Sequence, residues 1–430
     1  MIRLGLCCLF NEVPIHFRTT TVRKLTEIEK KQGIYDRLKY VSSIVLENAL
    51  ALQQAILYCA QKGIGCFRIG SGLFPCYTHP LVGYTLQDLP NGQKVTEKLK
   101  EAGSFAAKYS IRLVMHPDQF VVLNSPTERT VDMAVAELEY HAIIAELVNV
   151  DVINIHVGGV YNDKPMAMER FVLNFSRLSK SVQDRLTLEN DDKQYCPEDV
   201  LQLCHTLRVP FVYDVHHHRQ EIVKRLLLSN SGHFTRCTYG LSLPEEIIAQ
   251  TTMAAVETWK NREPLFHLSS PALGWGSVNQ RPHHEMIDYS DFPTCWKFRT
   301  IPFTLEVEAK AKEVAVLQLN DALTSDGVAV RSCIVAMEET WDAIEIDGES
   351  KYRRRKVRVK TSQGTIHKLS SSSKRSKAAA SSERKGRTRS QRNGANVVKA
   401  NLQDVQGSVK SEKRIITRSI TRKNASRNLN

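Results

Sequence analysis

The chain has 430 residues and 42% of them are hydrophobic, enough to bury at least one large core. Length alone suggests two or three domains of ~150 residues, although an α/β barrel runs to ~250 residues or more as one unit. Residues 351–430 carry 24 Lys/Arg and three acids, net +21, whereas residues 1–350 carry 35 basic and 43 acidic side chains, net −8, which excludes a basic globular domain.

The N-terminus, MIRLGLCCLFNEVPIHF, has no long apolar region and no small-residue cleavage site, so it does not read as a signal peptide. Its first apolar run, IRLGLCCL near 2–9, is a candidate strand. Seven more β-branched, apolar runs follow: GCFRIGSGL (65–73), RLVMHP (112–117), VINIHVGG (152–159), RLTLEND (185–191), PFVYDVHH (210–217), LFHLSS (265–270) and FTLEVEAK (303–310). Between them lie helical patterns such as residues 41–63, which Gly63 closes as a C-cap, and 130–149, with Val131, Val135, Leu138 and Ala142 on one face.

Strands that are near-continuous apolar runs are buried on both faces, and their alternation with helices points to parallel βαβ units. Eight units favour an α/β fold closed as a (β/α)8 TIM-type barrel. The segment between the seventh and eighth strands, about 32 residues long and rich in Pro and His, predicts an irregular stretch there. No stretch of ~18 apolar residues is evident, so no membrane-spanning helix and no membrane partner are expected. Ten cysteines are scattered with no CxxC pair, which argues against a zinc ribbon or thioredoxin motif and for reduced thiols in an intracellular protein.

From Lys351 the chain turns to KYRRRKVRVK and then to Ser/Lys/Arg-rich sequence with few large apolar residues. Such a segment cannot bury enough apolar surface to offset its ordering entropy. The expected organisation is a barrel domain over 1–325, a linker over 326–350 and a disordered basic tail over 351–430. The tail is expected to add non-specific nucleic-acid affinity through counterion release. It equally suits a nuclear address or a nucleoid tether, so the compartment stays open between a bacterial cytoplasm and a nucleus.

Metal-ligand residue types recur at the C-terminal ends of six successive strands: His116, His156, Glu189, Asp214 with His217, His267, and Glu308. In a barrel these ends form one rim around a shared mouth. A single His is more often structural, and a single Asp more often caps the next helix. Their joint placement is what points to a metal centre. His216 and His218 are expected to turn away from the mouth, since alternate strand residues face opposite sides. Imidazole and carboxylate ligands suit Zn²⁺ or Mn²⁺, and this many suit two or three ions bridged by carboxylates. Such clusters clamp the oxygens of an in-line displacement at phosphorus, although a sugar isomerase could use the same rim.

The motifs HPDQFVVLNSP (116–126), INIHVGGVYNDK (153–164), LTLENDD (186–192), VYDVHHH (212–218), HLSSP (267–271) and VEAKAKE (307–313) resemble those of the UV damage endonucleases, in order, across residues 1 to about 320. That family comprises TIM-barrel DNA repair nucleases related in architecture to endonuclease IV. The resemblance implies up to three divalent ions, Mn²⁺ or Zn²⁺, on His116, His156, Glu189, Asp214, His217, His267, His283 and Glu308. Glu189, Glu308 and His217 are the implied catalytic residues. His283 is preferred to His284 because Arg281, His283, Glu285 and Ile287 match the family's R-x-H-x-[DE]-x-I pattern. The resemblance also implies a monomer acting on damaged double-stranded DNA. It would nick the strand immediately 5′ to a bipyrimidine photolesion and leave a 3′-hydroxyl and a 5′-phosphate. Gln119 and Phe120 match the pair that probes the duplex, and Asn11 the polar residue of the first loop.

Several positions depart from the family pattern. Leu6 replaces an aromatic residue, Leu265 a lysine of some relatives, and Asp118 and Asn162 usual glycines. None is a metal ligand. An abasic-site endonuclease or a metal-dependent sugar isomerase is the competing enzyme on this scaffold. A non-catalytic nucleic-acid-binding protein is the third reading, and the complete ligand set argues against it.

Overall fold

The computed structural model describes residues 1–220, 243–277, 279–298 and 300–331. The expected tail and all but the first few residues of the expected linker lie outside the described residues. All eight predicted strands form: β1 (Ile2–Cys7), β2 (Cys66–Ile69), β3 (Arg112–Met115), β4 (Val152–His156), β5 (Leu186–Glu189), β6 (Phe211–Asp214), β7 (Leu265–Leu268) and β8 (Phe303–Val307). Each pairs in parallel with its sequence neighbours, and β1 pairs with β8, so the sheet closes into a barrel. The fold is the (β/α)8 barrel that the alternation of strands and helices predicts.

The helices that cover the sheet are α1 (Val22–Gln32), α2 (Ile34–Lys62), α3 (Gly92–Lys108), α4 (Glu128–Val148), α5 (Lys164–Phe175), α6 (Lys180–Gln183), α7 (Pro197–Leu207), α8 (Glu245–Trp259), α9 (Thr294–Lys297) and α10 (Glu313–Ser325). Gly63 ends α2 in the left-handed conformation expected of a C-cap, φ 73°. One expectation is corrected here: α2 is long and apolar enough, by length and composition, to cross a bilayer. It is a core helix instead, because 78% of its most apolar window is buried inside the protein, against α1 and α3. Among its described residues, the irregular stretch before β8 holds a 3-10 turn (Tyr289–Asp291), the one-turn α9 and an isolated bridge between Pro271 and His283.

Packing runs slightly past α10. Val328 is buried, and Val330 bridges Ile2 alongside β1.

Two apolar layers result from strand alternation. Outward-facing residues such as Phe211, Phe266 and Phe303 join the large core under the helices. Cys66, Val114, Val152, Val212 and Leu265, with Trp259 of α8, form a separate cluster inside the barrel. Side chains two residues further along each strand share that inward face. Those positions are Arg68, His116, Asn154, Asp214 and His267, and a further two residues bring His156 to the mouth. Register aligns them, with His156 opposite Glu189, Asp214 opposite His267, and His267 opposite Glu306.

Candidate metal centre

The strand ends bring three overlapping groups of ligand atoms together, each within 4.8 Å: His116, His156 and Glu189; Glu189, Asp214 and His217; Asp214, His267 and Glu308. Glu189 is central. It lies 2.9 Å from His116 Nε2, 3.4 Å from His217 Nδ1 and 3.2 Å from His267 Nδ1. Ring centroids of His116–His156, His116–His267 and His156–His217 are 5.3, 5.9 and 5.8 Å apart. Residues from positions 116 to 308 thus converge on one mouth.

Local structure orients three of the candidate ligands, His116, Glu189 and Asp214. His116 Nδ1 lies 3.0 Å from the Pro117 carbonyl, which suits an Nδ1–H donor and leaves Nε2 facing Glu189. Asn154 Nδ2 donates to Glu189 Oε2, and Thr187 Oγ1 fixes the Asn154 amide at 2.9 Å. Asp214 is held at its backbone by Asn190, whose Oδ1 accepts Asp214 N–H and whose Nδ2 donates to Asp214 O, both at 2.9 Å. Asp214 Oδ1 then caps the helical residues 215–220 by accepting His217 N–H at 2.8 Å. Capping and ligation are therefore compatible, because they use different oxygens.

The helix that starts at 215 corrects the alternation argument for the three histidines. His218 does turn away, with its Nδ1 2.8 Å from Tyr213 Oη. His216 does not leave the site: it is buried against Trp275 and His283, with ring centroids 5.0 and 5.6 Å away. His283 Nδ1 stands 3.9 Å from Glu308 Oε2. His284 faces elsewhere and accepts Met286 N–H at its Nδ1.

Buried polar atoms test whether the residues suit cations. Asp214 Oδ2, His156 Nδ1 and His267 Nδ1 are buried and have no hydrogen-bond partner. Such orphans are costly unless something else pairs with them. Their nitrogen and oxygen chemistry fits divalent ions. The electrostatics agree. Burial alone would raise the Glu189 carboxyl, but His267 and His156, with hydrogen bonds from His116 and His217, hold it well below the usual range. Burial raises Asp214, helped by Glu189 and Glu308 and opposed by His217. His267 is pushed up to about 10 against its own burial, chiefly by Glu189. Such crowding of charge is typical of functional sites.

Two charged residues of the mouth were not read from the sequence. Arg68 of β2 and Glu306 of β8 are both buried inside the barrel. An arginine inside a four-residue apolar strand and a Glu two residues before Glu308 were the available signals.

The residues expected to probe the duplex lie on loops. Phe120 is 78% exposed on the turn after His116, although it opens the apolar run FVVL. Gln119 is exposed beside it. Asp118 Oδ1 accepts Phe120 N–H at 3.0 Å, an Asx turn that serves where a glycine is usual. Asn162, the second such position, is left-handed at φ 64°, a conformation Asn tolerates. Asn11 is exposed, and its backbone N–H donates to Glu313 at 2.8 Å. Leu265 lies in the inner apolar layer and Leu6 in the core.

A closed parallel barrel with its polar side chains gathered at the C-terminal mouth defines a TIM-barrel protein built as enzymes of that class are. A family model described as UV-endonuclease UvdE matches residues 2–342. The chain is 33% identical over 329 residues to a UV-damage endonuclease of Schizosaccharomyces pombe, and 32% over 321 residues to one of Neurospora crassa. It is 30% identical over 326 residues to a UV DNA damage endonuclease of Bacillus velezensis. These alignments cover 74, 72 and 74% of the chain. They cover 50 and 45% of the fungal relatives and 91% of the bacterial one, so the chain spans about half the length of the fungal proteins. A crystal structure of SacUVDE superposes with a TM-score of 0.62 at 25% identity, covering 76% of this chain and all of that one. The chain belongs to the UV-endonuclease family.

Proposed function

We propose that this protein is a metal-dependent DNA repair endonuclease that nicks the strand immediately 5′ to UV photolesions. The observation that carries the reading is a juxtaposition. A mouth of eight His and carboxylate side chains stands directly beside an exposed Gln119–Phe120 turn, and His116 belongs to both. A sugar isomerase has no use for an exposed ring there. The family relatives named for UV damage support the same choice.

His116, His156, Glu189, Asp214, His217, His267, His283 and Glu308 would hold two or three divalent ions, Mn²⁺ or Zn²⁺. Bound ions supply Lewis acidity for the phosphate oxygens and acidify water. The reaction is in-line attack of water on phosphorus with cleavage of the bond to the 3′ oxygen, giving a 3′-hydroxyl and a 5′-phosphate. Within it, Glu189, Glu308 and His217 are the catalytic residues: each belongs to a candidate ligand group at the mouth, where the scissile phosphate would sit. Gln119 and Phe120 would occupy the gap in the stack, with Asn11 contributed by the loop after β1. A photodimer is weakly stacked, so extruding it costs less than flipping a normal pair. The protein would act as a monomer, with residues 1–325 as the catalytic domain, 326–350 as linker and 351–430 as a tail with non-specific DNA affinity.

Glu189→Gln tests the assignment. It keeps the shape and removes the charge at the centre of the cluster. Nicking of irradiated duplex is expected to fall by at least ~100-fold, the scale of losing one key catalytic group, with DNA binding and folding little changed. Near-normal turnover would remove Glu189 from the mechanism.

A further inference from the structure

Arg68 and Glu306 belong to no ligand triad, yet they form an ion pair buried inside the barrel. Arg68 Nε lies 2.9 Å from both Glu306 oxygens, and its Nη2 also donates to Glu306 Oε2. Arg68 Nη1 donates to Glu308 Oε1 at 2.7 Å. A fork of this kind fixes two carboxylates in plane as an ammonium could not.

The pair meets the ligand set at His267. The Nε2 of that ring has two neighbours, Glu306 Oε2 at 2.8 Å and Arg68 Nη2 at 3.1 Å. In the neutral ring that ligation requires, it can serve only one. If it donates to Glu306, the Nδ1 lone pair is free. If it accepts from Arg68, Nδ1 carries a proton and cannot ligate. Geometry favours Glu306, which is nearer. Nδ1 is then the atom left without a partner, 3.2 Å from Glu189 Oε1 and 3.6 Å from Glu308 Oε1.

We propose that Arg68 and Glu306 are a positioning pair for the metal centre. Glu306 accepts the Nε2–H of His267 and so presents Nδ1 to the ions. Arg68 anchors Glu306 and takes Oε1 of Glu308, leaving Oε2 on the His283 side. Arg68 is also a permanent cation between two carboxylates of β8 and its C-terminal end, Glu306 and Glu308. The inference rests on the metal-centre reading and adds the residues that set its geometry.

The experiment is a long-range proton–nitrogen spectrum of histidine-labelled full-length protein loaded with Zn²⁺, with the His267 signal assigned by its loss in His267→Asn. The expected result is a proton on Nε2 and none on Nδ1. In Glu306→Gln the new amide can donate to Nε2. The tautomer is expected to shift, and the affinity for one Zn²⁺ equivalent to fall roughly 10- to 100-fold in chelator competition. Arg68→Lys keeps the charge and loses the fork, so a smaller fall is expected, with Arg68→Met below it. A proton on Nδ1 in the Zn²⁺-loaded wild type overturns the proposal while leaving the metal centre intact. Unchanged tautomer and affinity in Glu306→Gln do the same. Failure of the wild type to bind any Zn²⁺ overturns both.

Discussion

Phe120 is an aromatic ring in an apolar run, and it has no core to pack against. Neighbouring Val121 and Leu123 are buried while Phe120 is exposed, so the Asx turn at Asp118 sets the ring apart from its own sequence context. Phe120→Ala is expected to leave metal content and thermal stability unchanged, because the ring contributes little burial. The same variant should reduce discrimination between irradiated and intact duplex by about 1–3 kcal/mol, the range found for stacking on an aromatic side chain. Equal loss of cutting and metal content would mean that the ring supports the fold instead. At this scale most of the candidate ligands were legible in the sequence because they lie at or just past the end of a strand. Arg68, Glu306, Asn154 and Asn190 were not, because their role depends on which way a buried side chain points. Sequence shows residue type and position, but a hydrogen bond between β2 and β8 joins residues 238 apart.

At the scale of elements, the strands were readable because both faces are buried, which gives unbroken apolar runs. The helix at 215–220 was hidden because its first turn, VHHH, has no apolar periodicity, and Asp214 was read as a strand end. Its cap is visible only once Asp214 Oδ1 is seen to accept His217 N–H. Helix α4 supplies a pH prediction. His141 is fully buried on α4, and burial lowers it to about 4, against a smaller opposing effect from its bond to the Glu137 carbonyl. Its folded value lies below the unfolded one of ~6.5, so the unfolded chain takes up the proton first. The stability it contributes is present above pH 6.5 and is lost as pH falls towards 4. The loss from this one group reaches about 2 kcal/mol by pH 5. Urea unfolding of wild type and His141→Gln from pH 7 to pH 5 isolates it. The variant is expected to show the shallower decline, and parallel curves would mean that His141 is protonated in the folded protein.

The whole molecule divides its charge unevenly. The net −8 of residues 1–350 includes the carboxylates of the mouth, and the net +21 of residues 351–430 is the largest block of opposite sign. A mildly acidic body binding DNA needs local cations, from ions at the mouth or from the tail. Removing residues 351–430 is expected to weaken duplex binding at moderate salt and to flatten its dependence on salt, since each phosphate contact contributes about −0.9 to the slope. The single-turnover rate on saturating duplex should hold. An unchanged slope would leave the tail with no part in binding. Barrel closure is the feature that sequence order conveyed best: eight strands in chain order, each beside the next, need no long-range pairing rule beyond β1 with β8. What it could not convey is that Glu306, two residues before Glu308, is buried inside the barrel against Arg68.

The most direct measurement is a nicking assay with Mn²⁺ on three end-labelled duplexes: UV-irradiated, abasic and undamaged. The predicted result is cleavage immediately 5′ to the photolesion, abolished by a chelator and restored by Mn²⁺, with the undamaged duplex intact. Cleavage of the abasic duplex alone, or of no duplex with ions confirmed bound, would contradict the assignment.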